Sequence, residues 1–179
     1  MSNIVYVATS LDGYIAGPDG ALDWLEIVPN PERDDLGFGA FIERVDAVVM
    51  GRLTFETVLG FGVGWPYPVP GIVLSSTLTE PPAGFEELVV VTSGSPSAVV
   101  AFARRRGYQD LYIDGGKTVQ RFLTADLIDE LIVTEVPILL GGGERLFGPA
   151  AERRLFELVG TEVLLGQMVK RHYRRKRSA

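Results

Sequence analysis

Six short apolar runs punctuate the chain, and they constrain its fold more than any other feature. Ile4–Thr9, Ala47–Met50, Ile72–Ser75, Leu88–Thr92, Leu111–Asp114 and Ile132–Val136 are four to six residues long, rich in Val and Ile, and bounded by Gly, Pro or Asp. Runs of this kind read as strands buried on both faces, which occur in sheets covered by helices. The intervals supply helical patterns. Ser95–Arg106 has a capping serine, Pro96 in its first turn, apolar Val99, Phe102 and Ala103 on one face, and Gly107 as a stop. Val119, Phe122 and Leu123 repeat the spacing after Gly115-Gly116. Further helices are expected from about Thr54 and over about Leu36–Arg44. This alternation predicts an α/β domain with a largely parallel sheet. Glu162–Leu165 and Met168–Arg174, either side of Gly166-Gln167, read as an antiparallel hairpin that makes the sheet mixed. No composition break marks a second domain, so residues 1–179 are expected to form one.

Composition removes several classes of function. At 46% apolar residues the chain can bury a core, which excludes global disorder. Cysteine is absent, excluding disulfides, thiolate metal sites and cysteine nucleophiles, and suiting a reducing cytoplasm. No run reaches the roughly 18 apolar residues of a membrane span, and Met1-Ser2-Asn3 lacks the basic start of a signal peptide. A soluble, cytoplasmic protein without a membrane partner is expected. Lys170, Arg171, Arg174, Arg175, Lys176 and Arg177 hold six of the seventeen Lys and Arg residues. That leaves eleven against twenty-three acids over the first 169 residues. So acidic a body would repel a phosphate backbone, and nucleic acid is not an expected partner. His172 is the lone histidine, and no metal site is expected.

Two junctions carry the strongest chemical signal. In Ala47–Thr54 a buried strand runs into Gly51, Arg52 and a helix start; in Leu111–Val119 another runs into Gly115, Gly116 and a helix start. Glycine admits a ligand close to the backbone, and a helix N-terminus favours an anion. The pair reads either as a clamp for a dinucleotide's diphosphate or as two ordinary strand–helix turns. No GxxxxGK[ST] loop, GxGxxG turn or GxSxG elbow is present, which disfavours P-loop, Rossmann and serine-hydrolase chemistry. Asp12, Asp19, Asp23, Asp34 and Asp35 crowd the first quarter beside Trp24. They are turn formers, or one is a functional carboxylate.

Together these motifs resemble a family. Ala8–Ala16 with Asp23-Trp24 resembles the first strand and active-site loop of dihydrofolate reductases. Val49–Glu56 resembles their MGRxT[WY]E segment, Ile72–Ser76 the following strand, and Ile113–Lys117 their glycine pair. Asp129–Ile132 and Pro137–Gly148 are closer to the reductase domain of bacterial riboflavin biosynthesis, the RibD C-terminal domain, and its stand-alone relatives. The resemblance implies a three-layer fold with a mixed, mostly parallel eight-stranded sheet and helices on both faces. It also implies NADPH across the carboxyl ends of the strands. Ala8 and Ile15 would flank the nicotinamide. Gly51, Arg52 and Thr54 would hold the phosphate and ribose side, and Gly115, Gly116, Lys117, Thr118 and Val119 the diphosphate. Arg52 and Ser76, with Ser75 beside them, would face the 2′-phosphate. A guanidinium and hydroxyls suit that dianion and select NADPH over NADH.

Asp35-Leu36 matches the acid–leucine pair that opens the substrate helix in dihydrofolate reductases, which implies a catalytic Asp35. An acid there equally suits a helix cap. The matching reductases place an arginine after this helix to grip the folate carboxylate, whereas residues 53–103 contain no Lys or Arg. Dihydrofolate is therefore a doubtful substrate. Trp24, Trp65 and Tyr67 are candidates for an apolar substrate wall, with Trp65 and Tyr67 equally readable as structural aromatics. The expected activity is NADPH-dependent hydride transfer to a small pterin-, pyrimidine- or carbonyl-like compound, by a homodimer with the final strand as a contact. The rival is a non-catalytic dimeric NADP(H)-binding module of the same fold.

Overall fold

A computed structural model describes residues 1–148 and 153–177. In chain order the strands are β1 (Asn3–Ser10), β2 (Tyr14–Ala16), β3 (Ala47–Gly51), β4 (Gly71–Leu74), β5 (Val89–Thr92), β6 (Leu111–Asp114), β7 (Glu130–Val136), β8 (Glu144–Arg145), β9 (Phe156–Leu164) and β10 (Met168–Arg175). Four α-helices accompany them: α1 (Phe38–Ile42), α2 (Arg52–Gly60), α3 (Pro96–Arg105) and α4 (Gly116–Thr124). Eight strands form one sheet in the order β5-β4-β3-β6-β1-β7-β10-β9, and β2 pairs with β8 apart from it. Within this sheet β10 alone is reversed, pairing antiparallel with both β7 and β9. No helix among the described residues is long and apolar enough to cross a membrane.

The apolar runs are buried on both faces, as their composition demands. Along β3, Ala47 and Val49 face α3 and α4, where Val99, Ala103, Val119 and Phe122 cover them. Val48 and Met50 face α1 and α2, meeting Phe41, Ile42, Phe55 and Val58. The two-and-two division of helices follows from chirality. The chain steps one way from β1 through β3 and β4 to β5, then returns to place β6 between β3 and β1. Right-handed crossovers put helices on one face during the outward steps and on the other during the return.

Three local features differ from the sequence expectation. Residues 14–16 and 144–145 pair as β2 and β8, too short to show a pattern. The strand β9 begins at Phe156 rather than near Glu162, because most of it is exposed on both faces and lacks the alternation that marks a half-buried strand. Its turn into β10 uses left-handed Leu165 and Gly166. The basic β10 is neutralised at several points by the acidic body. Arg171 grips Glu135 at 3.1 and 3.2 Å, Arg175 grips Asp126 at 2.7 and 3.1 Å, and Lys170 meets Glu162 at 2.8 Å.

The third difference concerns α1, which begins at Phe38 rather than Leu36. Leu36 and Gly37 take left-handed φ of 59° and 85°, which no continuous α-helix can contain. Tertiary contacts hold them there. Tyr6 Oη and Lys170 Nζ donate to the Leu36 carbonyl at 2.9 and 3.0 Å, pinning it outside helical geometry. Exposed Asp35 accepts from Gly37 N–H at 2.8 Å and Gly39 N–H at 2.9 Å. Those two donors, with Lys170 nearby, hold its carboxyl below the usual range despite slight desolvation. Asp35 thus has the geometry of a cap for the turn into α1. We expect Asp35→Ala to lower the midpoint of urea unfolding and Asp35→Asn to recover most of that loss, read by circular dichroism.

Candidate active site

The parallel strands end on one side of the sheet, and the loops that leave them gather there. Asp12 joins two of these loops, accepting from Ser10 Oγ at 2.6 Å after β1 and from Leu140 and Gly141 N–H at 3.1 and 2.7 Å after β7. These donors bring its pKa down to about 2. The two glycine junctions lie side by side next to the β1 loop, because β6 is the direct neighbour of both β3 and β1.

Their fit is reciprocal. A Cβ on Gly51 would stand 3.2 Å from Thr118 Oγ1, and one on Gly115, where φ is 85°, would run into Thr54 Oγ1. The first turns of α2 and α4 therefore converge on a cradle that excludes a side chain at Gly115 and leaves little room for one at Gly51. Unpaired first-turn amides and aligned dipoles suit such a cradle to an anion. Beside it a cavity of about 430 Å³ is lined by Arg52, Leu74, Ser75, Ser76, Thr77, Ser93, Gly94 and Arg121. Arg52 rests in an exposed pair with Glu56 at 2.7 Å, a weak tether that leaves the guanidinium available. Arg121 donates to the Gly94 carbonyl at 2.7 Å. A group carrying both a diphosphate and a further phosphate fits this donor set.

Most of the expected cofactor residues meet here, in differing roles. Gly51, Thr54, Gly115, Gly116 and Thr118 form the cradle, and Arg52, Ser75 and Ser76 line the cavity. Ser75 Oγ already accepts from Leu78 N–H at 2.7 Å. Val119 is buried in the core, with its N–H bonded to the Gly115 carbonyl at 2.9 Å, so its side chain braces the helix. Lys117 is exposed and paired with Glu144 at 3.4 Å. Ile15 stands against Gly116, and Ala8 packs beside Trp24 in a small cluster under the loops. Trp24 is 4% exposed, and its indole N–H has no partner among the described residues. A buried donor left open is costly in a purely structural residue and useful beside a ligand.

An aromatic cluster packs on the α1–α2 face of the sheet. Phe38, Tyr67 and Tyr112 stand mutually 6.4 Å apart by ring centroids, with Tyr6 stacked on Phe41 at 4.5 Å. Trp65 has a structural role, since its indole donates to the Val69 carbonyl at 2.8 Å and its ring fills the space at Gly71. Asp114 ends β6 on this face, surrounded by protein yet partly open at its edge. Burial pushes its carboxyl above the usual range, while Gly115 N–H and the Tyr112 and Tyr67 hydroxyls pull the other way. Burial first, and Asp114 second, raise Tyr67 and Tyr112 well above an ordinary phenol. Charge-bearing Asp114 at the end of an apolar run was a visible signal in the sequence. Arg121 carried none, because only the tertiary structure sets it beside Arg52.

A second cavity, of about 390 Å³, lies between α1 and the β9–β10 hairpin. Its basic side chains already have acidic partners: Lys170 meets Glu162, and both Arg44 and His172 meet Glu130 at 2.9 and 2.7 Å. It therefore offers an anion far less than the first.

The chain is similar to several known proteins. The uncharacterized protein YwjB of Bacillus subtilis (strain 168) is 32% identical over 172 residues, covering 95% of each chain. A crystal structure from Shewanella sp. PV-4, provisionally assigned to riboflavin biosynthesis, is 50% identical with a TM-score of 0.95, covering 99% of this chain and all of that one. Dihydrofolate reductase from Enterococcus faecalis, solved with NADP(H), shares the fold with a TM-score of 0.66 at 24% identity, covering 98% of this chain and 97% of that one. The model of the RibD C-terminal domain matches residues 3–170. The chain belongs to the RibD C-terminal domain family and has the dihydrofolate reductase-like fold.

Proposed function

We propose that this protein is an NADPH-dependent reductase acting on a small, uncharged heteroaromatic or carbonyl compound. The observation that carries the reading is the cradle of two opposed, glycine-lined helix starts, with two arginines beside it. Gly51–Thr54 and Gly115–Thr118 would hold the diphosphate of the cofactor. Arg52, Ser76 and Arg121 would satisfy the 2′-phosphate, with Ser75 shaping the loop. Ala8 and Ile15 would bound the nicotinamide pocket. NADPH, when bound, supplies a hydride; the protein supplies orientation, a dry wall and a proton.

The proton belongs to Asp114 in this reading. A carboxyl whose pKa is raised by burial can, in its protonated form, donate to a substrate heteroatom, whereas two amide donors lower the pKa of Asp35. Phe38 and Tyr67 would stack against a flat substrate, and the open Trp24 indole would serve an acceptor on it. Residues 53–103, which supply Trp65 and Tyr67, contain no Lys or Arg. A phosphate or carboxylate tail would find no cation on that wall, which favours an uncharged substrate.

The final strand, β10, is paired on both sides and offers no free edge, so we infer instead that two copies pair along β9. The strand is nine residues long, lies at the sheet edge, and exposes Leu158, Val159 and Val163. An unpaired edge bearing apolar side chains suits antiparallel addition of its own copy about a two-fold axis.

Three outcomes are expected. In fluorescence titrations NADPH should bind more tightly than NADH, and Arg52→Ala should weaken NADPH alone by about tenfold or more. Binding of neither cofactor would overturn the reading. In turnover against a panel of reducible heterocycles, the rate should fall as pH rises through the raised pKa of Asp114, because only its protonated form donates. Asp114→Asn should slow turnover by about a hundredfold and abolish that limb. It should also stabilise the fold at neutral pH, since a raised carboxyl pKa contributes stability below the unfolded value that is lost as pH rises. Light scattering after size exclusion should give a dimer, and Val163→Lys a monomer; a monomeric wild type would remove the β9 pairing.

A further inference from the structure

We propose that Glu144 is an internal rival of the cofactor's diphosphate, so that its charge sets how tightly a nicotinamide dinucleotide is held. This rests on the cofactor reading above. The strand β8 is anchored at the site from two sides. Glu144 pairs with Ala16 of β2, and Gln120 Nε2 of α4 donates to the Arg145 carbonyl at 2.6 Å. With its backbone fixed, the Glu144 side chain turns onto the first turn of α4. A Cβ at Gly116 would stand 2.7 Å from Glu144 Cγ and 2.9 Å from Oε1, and Ile15 closes the other flank at 3.0 Å.

The carboxylate thus lies over the helix start that, with α2, forms the anion cradle. Two side chains hold it there. Lys117 Nζ lies 3.4 Å from Oε1 and Gln120 Nε2 lies 3.3 Å from it. Lys117 is 77% exposed, so its tether is screened and easily exchanged. Glu144 itself is only one-third exposed, so its charge is felt more strongly by whatever enters beside it. A diphosphate at this turn would meet a like charge and compete with it for Lys117 and for the positive end of α4. Binding would require the carboxylate to swing away or tolerate the repulsion.

The consequence is specific. Glu144 would oppose the diphosphate, which NADPH and NADH share, whereas Arg52 acts on the 2′-phosphate that only NADPH carries. Glu144→Gln keeps the size and can keep the contact to Gln120 while removing the charge. Titrating both cofactors into the full chain, we expect Glu144→Gln to tighten NADPH and NADH by the same factor, about threefold or more, and Glu144→Asp not to do so. If the glutamine variant folds poorly by thermal melting, Glu144→Thr provides the same neutralisation and should tighten both alike. Wild-type or weaker affinity in the folded neutral variants, with a wild type that binds NADPH, would overturn this inference alone. Tightening confined to NADPH would overturn it too, by placing the effect at the 2′-phosphate. A wild type that binds neither cofactor would remove the cofactor reading, and this inference with it.

Discussion

The contact between Thr54 and Gly115 is the constraint on which the site depends. It exists because β6 enters the sheet between β3 and β1, setting two strand–helix junctions side by side. The two helices then leave on opposite faces, α2 over one half of the core and α4 over the other. Adjacent strands with helices departing to opposite sides open a crevice at the carboxyl edge of the sheet. Side chains at positions 51 and 115 would fill that crevice. Glycine at both, with a threonine reaching across from each helix, leaves a narrow gap lined by helix amides.

Charge is distributed to match. The body is acidic, and Lys170, Arg171 and Arg175 of the basic β10 are bound to acids. At the crevice, Arg52 and Arg121 flank the cavity with only a surface pair and a backbone carbonyl to hold them. Glu144 introduces the opposite sign on the α4 side. The crevice therefore has a cationic end and a contested end, an asymmetry that a dinucleotide bearing phosphates at different positions would feel unequally.

The aromatic cluster and Asp114 adjoin the crevice on the α1–α2 face. Placing a carboxyl at the end of an otherwise apolar strand costs desolvation, which raises the pKa of Asp114, while the Tyr67 and Tyr112 hydroxyls beside it pull the other way. Tyr112 directs its proton to the Tyr6 carbonyl at 2.9 Å.

Much of this was legible in the chain itself. The apolar runs determined the buried strands, the serine and glycine punctuation determined α3, and Gly51 and Gly115 marked the two junctions. These features are local: whether a residue can take an extended, helical or left-handed backbone depends on its own side chain and near neighbours. The start of α1, the length of β9 and the company kept by Arg52 were different in kind. Leu36 leaves the helix because Tyr6 and Lys170, from distant strands, hold its carbonyl. Arg121 joins Arg52, and Glu144 settles over Gly116, only when the sheet order brings their elements together. The sequence by itself determined which segments would be buried and where the backbone could approach a ligand. Tertiary structure alone decided which charges face each other there, because Coulomb energy depends on distances that the order of residues does not encode.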